Sequence, residues 1–260
     1  MSPSASARAR IVAVTSGKGG VGKTYFSANV ASALAARGER VLVLDADLGL
    51  ANLDVVLNLY PKITLHDVFT GKARLEDAVL AAPGGFSVLL AGSGLVEYSR
   101  LTPEVRDKLV EVIDEVAPRF DRIILDTGAG ISDVVLYTVS LADEVLIVAT
   151  PEPTSLTDAY ATIKVLATQQ RRRPMRLVVN QASQPGEGRV IRGQLQQVID
   201  RYVTPATKDA EQPLKLDFLG EIPVDPAVRD AVQKRVLLQQ TQPGCAASRA
   251  VAAIADKLGA

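Results

Sequence analysis

Lys23 and Thr24 are the residues in this chain with the most specific chemistry. They close the string Gly17-Lys18-Gly19-Gly20-Val21-Gly22-Lys23-Thr24, which fits the pattern G-x-x-x-x-G-K-[ST] of a phosphate-binding loop. Its glycines let successive backbone N–H groups converge on an anion with no Cβ in the way. The Lys23 ammonium then meets the β and γ phosphates, and the Thr24 hydroxyl is a ligand for Mg²⁺. Tyr25 follows directly and counts with residues 17–24 as nucleotide-contacting.

Carboxylates suited to the same chemistry lie further along. Asp45-Ala46-Asp47 follows the apolar run Val41–Leu44, and Asp126 ends the run Ile123-Ile124-Leu125. The C-terminal ends of parallel strands are where ligands bind, so all three aspartates can stand beside the phosphate loop. Asp126 is expected to orient Mg²⁺ or a magnesium-bound water opposite Thr24, as a Walker B residue does. Asp45 and Asp47 can point at the metal or at a water, with capping of the following turn the alternative for Asp47. Gly130, just past Asp126, is expected to bring its amide close to a γ-phosphate, an approach that a side chain would block.

The elements that must position these groups alternate strand and helix. Ile11–Val14 reads as a buried strand that delivers the chain into the loop, and a helix from about Lys23 to Arg37 aims its positive N-terminus at the anion. Gly38 reads as its C-cap. Further strands are expected at 41–44, 86–90, 120–126, 144–149, 175–180 and 216–222. A helix over 103–117 carries Val105, Leu109, Val112, Ile113 and Val116 at helical spacing, and others follow near 157–170, 190–202, 227–238 and 245–258. The predicted fold is α/β, a mostly parallel sheet flanked by helices, forming one domain over 10–260 after a disordered tail of residues 1–9. Residues 91–94 read as a small-residue loop, and 204–213 as a polar, mobile segment. Arg171-Arg172-Arg173 reads as a basic helix end opposing the helix dipole, or as a surface for an acidic partner.

Lys18 is not required by the general pattern, and Lys-Gly-Gly-Val-Gly-Lys-Thr is its deviant version. With it the chain resembles the MinD/ParA family of ATPases, from Arg10 to about Arg235. The resemblance implies that Lys18 reaches across a nucleotide-sandwich dimer to the partner's phosphates and that Asp47, in Asp45-Ala46-Asp47-Leu48-Gly49-Leu50, positions the attacking water with Asp45 as metal support. It further implies that Glu152 lies near the opposing nucleotide, that Asn180 reads the adenine, and that the Ile222-Pro223-Val224-Asp225 loop packs against the base. A carboxamide suits adenine, having donors and an acceptor for N6 and N7. The string Asp126-Thr127-Gly128-Ala129-Gly130-Ile131 is similar to the FlhG (FleN) branch, which sets flagellar number and placement. The implied activity is slow, dimer-dependent hydrolysis of Mg-ATP by a protein that is monomeric without ATP. The implied partner is a regulatory protein such as a flagellar GTPase or a switch-complex protein.

Composition bounds the alternatives. Lys plus Arg and Asp plus Glu both number 29, so no global basic field argues for nucleic acid, and a DNA-partition role is disfavoured. Cys245 is the only cysteine, which argues against an iron–sulfur carrier and for a reducing, cytoplasmic setting. The final stripe Ala250, Val251, Ile254 and Leu258 has few charges beside it and predicts packing on the domain, with peripheral attachment to the inner membrane face as the weaker alternative. A MinD-like division-site role, a ParA-like partition role and a nucleotide-gated scaffold without significant turnover stay open.

Overall fold

Hydrophobic strands of β-branched residues alternate with helices along the chain, and this alternation dictates a sheet covered on both faces. The computed structural model describes residues 8–49, 51–92, 101–207 and 213–259. Its strands are β1 (Arg10–Ser16), β2 (Val41–Ala46), β3 (Val79–Ala81), β4 (Ser87–Leu89), β5 (Arg122–Ala129), β6 (Glu144–Ala149), β7 (Met175–Ala182) and β8 (Leu216–Pro223). The helices are α1 (Lys23–Ala35), α2 (Leu53–Leu57), α3 (Leu65–Phe69), α4 (Leu75–Ala78), α5 (Pro103–Val116), α6 (Asp133–Ser140), α7 (Pro153–Gln169), α8 (Glu187–Tyr202), α9 (Pro226–Gln233), α10 (Leu238–Thr241) and α11 (Ala246–Gly259).

The sheet order is β3-β4-β2-β5-β1-β6-β7-β8, parallel except where β3 pairs antiparallel with β4. Strand alternation divides the core. Ile11 and Ala13 of β1 face one apolar layer with α5 and α7, while Val12 and Val14 face the other with α1 and α11. Every residue of the predicted α5 stripe is buried. The α11 stripe packs likewise, with Val251, Ile254 and Leu258 at most 4% exposed. Among the described residues, no helix is long and apolar enough to cross a membrane.

Three expectations about the chain's organisation change. Of the residues expected in the disordered tail, Ala9 is buried in the core and Arg8 pairs with Asp114, while residues 1–7 lie outside the described residues. The helix expected over 227–238 is interrupted. Arg235 takes a left-handed φ of 53°, and the Val236 N–H bonds back to the Ala231 carbonyl, which closes α9 before α10 begins. The segment expected to be mobile over 204–213 starts with an ordered 3₁₀ turn, Thr204–Ala206, followed by buried Thr207; residues 208–212, like 93 and 94 of the expected small-residue loop, lie outside the described residues.

The arginine triplet has specific partners. Arg172 donates to the carbonyls of Val139 and Ala142, each at 2.8 Å, and to that of Ser140, closing the C-terminal end of α6 rather than that of its own helix. Arg173 donates to the Thr207 hydroxyl.

Candidate nucleotide site

Three neighbouring strands end at one edge and hold the charged groups. The register places Asp45 of β2 beside Asp126 of β5, and Asp126 beside Val14 of β1, three residues before Gly17 of the phosphate loop. Gly20 and Gly22 take φ values of 78° and 92°, conformations closed to most side chains. Gly17 serves a different need. A Cβ there would lie 2.2 Å from the Asp158 backbone carbonyl, so the start of the loop rests directly on α7. On the other side the Asn180 side chain donates to the Val21 carbonyl at 2.8 Å.

Lys23, the first residue of α1, is 8% exposed and makes no hydrogen bond or salt bridge among the described residues. Burial pushes its ammonium below the usual lysine range, against the charges of Asp126 and Asp47. Asp126 is fully enclosed and accepts from the Ser27 hydroxyl at 2.9 Å, with the Thr24 hydroxyl close by. Burial pushes its carboxyl up to about 6, and the two hydroxyls and Lys23 pull the other way. Burial, then the neighbouring Asp126 charge, raises Asp45 as well; its oxygens accept the N–H groups of Asp47 and Leu53.

Lys23 and Thr24 open onto a cleft of about 910 Å³ between the phosphate loop, Asp47–Gly49 and Thr127–Ala129, and Asp126 lies enclosed behind its wall. It shares Gly20, Gly22, Tyr25 and Val232 with an apolar cavity of about 420 Å³, walled by Phe26, Asn180, Pro223, Val228 and Leu238. A glycine-rich loop at a helix N-terminus with the Lys23 ammonium opening onto the cleft suits a polyphosphate, and Thr24 beside Asp126 suits a hard oxygen-liganded cation such as Mg²⁺. The apolar cavity suits a planar base.

Comparison with known proteins agrees with this chemistry. Residues 9–178 match the AAA domain family, and residues 100–259 match the family described as NUBPL iron-transfer P-loop NTPase. The antiactivator FleN of Pseudomonas aeruginosa is 43% identical over 249 residues, covering 96% of this chain and 86% of that protein. The chain belongs to the MinD/ParA family of P-loop NTPases. The flagellum site-determining protein YlxH of Helicobacter pylori is 34% identical, with 96% of this chain and 81% of that protein covered. The septum site-determining protein MinD of Pyrococcus horikoshii, solved in complex with Mg-ADP, superposes with a TM-score of 0.75 at 26% identity, covering 96% of each chain. The second family's description names iron transfer, and this chain has a single cysteine, Cys245.

Within this MinD/ParA protein, Gly19, Gly20, Gly22, Lys23, Thr24, Tyr25 and Asp47 line the large cleft. Other expected site residues are placed differently. The Gly130 N–H donates to the Ser16 carbonyl at 2.8 Å, so it is spent on the end of β1; glycine is needed there for its φ of 89°, since a Cβ would meet only the Gly17 carbonyl oxygen at an ordinary 4.0 Å. Asp45 is turned from the large cleft by its two amide contacts and borders a smaller pocket with Asp54 and Tyr60. The Asp225 carboxylate accepts the N–H groups of Ala227 and Ala247, which start α9 and α11, and those contacts hold its pKa low. It shapes the wall of the base-sized cavity by fixing two helices. Lys18 donates to Glu152 at 2.7 Å and to Thr154 at 2.9 Å within its own chain.

Residues that sequence reasoning missed include Ser27, whose hydroxyl holds Asp126, and Val232, which faces both cavities. Ser27 lies one helical turn after Lys23, a spacing that could have placed it beneath the same strand end.

Proposed function

We propose that this MinD/ParA protein binds Mg-ATP in the joined cavities, hydrolyses it slowly, and pairs with a second copy over the triphosphate, so that ATP acts as a timer in regulating flagellar number or placement. The observation that carries the reading is Lys23, 8% exposed at a helix N-terminus, in one cleft with Asp47 and beside Asp126. The names of FleN and YlxH support the flagellar assignment.

Phosphoryl transfer asks mostly for positioning and charge neutralisation. Lys23 and the loop amides would hold the phosphate oxygens, while Thr24 and Asp126 would hold Mg²⁺, which supplies charge neutralisation between the phosphates. Asp47, at the cleft wall against Gly128, would orient a water toward the terminal phosphate. Lys18 must leave Glu152 and Thr154 to reach a second copy. Its Glu152 partner is 60% exposed, and an ion pair of that kind is worth little, so the lysine is parked rather than locked. The word antiactivator in the name of FleN supports a regulatory protein as the partner.

The test is phosphate release by the wild type and by Asp47→Ala, with light scattering in Mg-ATP. The wild type should turn over, and Asp47→Ala should keep ATP binding while losing roughly 100-fold or more in rate. The arrested variant should double in mass with Mg-ATP. Absence of wild-type phosphate release would leave a nucleotide-gated scaffold, and a monomeric arrested variant would remove the pairing.

A further inference from the structure

The Asn180 carboxamide makes two hydrogen bonds within the chain. Its Nδ2 donates to the Val21 carbonyl at 2.8 Å and its Oδ1 accepts the Gln181 N–H at 2.9 Å. The space it fills exists because residue 22 is glycine: a Cβ on Gly22 would sit 2.6 Å from that Nδ2. The peptide joining Val21 to Gly22 is the weak point of the loop. Glycine tolerates either sign of φ, so this peptide can flip at small steric cost, exchanging an anion-facing N–H for a carbonyl that repels phosphate.

We infer that Asn180 is a positioning residue of the phosphate loop: by holding the Val21 carbonyl away from the cleft it keeps the Gly22 amide turned toward the anion. This rests on the reading of the loop as a nucleotide-phosphate site. It adds to any contact with a base, because a carboxamide has a second N–H and a second acceptor lone pair. The residue therefore ties the base-sized cavity to the loop. Whatever moves Asn180 from within that cavity also moves Val21.

Hydrogen exchange of the nucleotide-free protein and calorimetric titration decide the matter, comparing wild type, Asn180→Asp and Asn180→Ala. Asn180→Asp keeps the shape but removes the Nδ2 donor. Amides of residues 19–24 should exchange about tenfold faster in both variants, with those of β5 and β6 unchanged. Affinity for Mg-ATP and for Mg-tripolyphosphate, which has no base, should fall by the same factor of about tenfold. Unchanged loop exchange, with weakening confined to ATP, would make Asn180 a base reader alone and overturn the inference. A wild type that binds neither compound would remove the nucleotide reading instead, and the exchange comparison would still decide the role of Asn180.

Discussion

Replacing Gly17 by alanine tests the seat of the phosphate loop on α7. The added Cβ would lie 2.2 Å from the Asp158 carbonyl carbon and oxygen and 2.7 Å from the Ala159 nitrogen. These are backbone atoms of a seventeen-residue helix, so no side chain can swing aside. Reaching an ordinary contact of about 3.5 Å requires loop and helix to part by roughly 1 Å. Overpacking of this severity costs about 3 kcal/mol, which for a chain of this size lowers the melting temperature by about 6–12 °C. Gly19→Ala is the matched control, since nothing lies within 4 Å of its Cβ position, and it should stay within about 0.5 kcal/mol of the wild type. Calorimetry of the nucleotide-free proteins reads both. A Gly17→Ala protein that melts with the wild type, or a Gly19→Ala protein that falls as far, would refute the argument.

The pH dependence of Asp126 has a definite sign. Its folded pKa of about 6 lies above the unfolded value of about 3.9, so the folded chain retains a proton that the unfolded chain releases, and the stabilisation is lost as pH rises from about 4 through 6. Nucleotide-free Asp126→Asn should therefore melt near the wild type at about pH 4 and above it at about pH 7.5, by an amount of order 3 kcal/mol; equal melting at both pH values would contradict the burial argument. Arg172→Ala removes a cation from three carbonyls at the end of α6 and should cost about 2 kcal/mol in urea denaturation. Arg172→Lys should recover little of that, because an ammonium cannot span the same carbonyls.

The centre of the fold was legible from local signals. The β-branched run before Gly17, the glycines, and Lys23 opening a helix lie within sixteen residues of one another, and the strand-ending aspartates needed only an apolar run to mark them. The α5 stripe was legible because its period is helical. Contacts that join distant segments were not. Nothing near Asn180 announces Val21, 159 residues earlier, and nothing near Arg172 announces the end of α6. Asp225 before Pro226 is a readable helix cap, yet its second oxygen serves α11, whose approach depends on tertiary packing. The break at Arg235 carries neither glycine nor proline, so the pattern over 227–238 read as one helix. The β3 strand has three half-exposed or exposed residues, too few to show any period.

That short β3 has a consequence for how copies of the chain can meet. A long open margin would offer unpaired backbone groups to any neighbour and invite ribbons of stacked molecules. Here the margin next to β4 is finished by a three-residue strand running the opposite way. A neighbour finds almost nothing to continue at that margin.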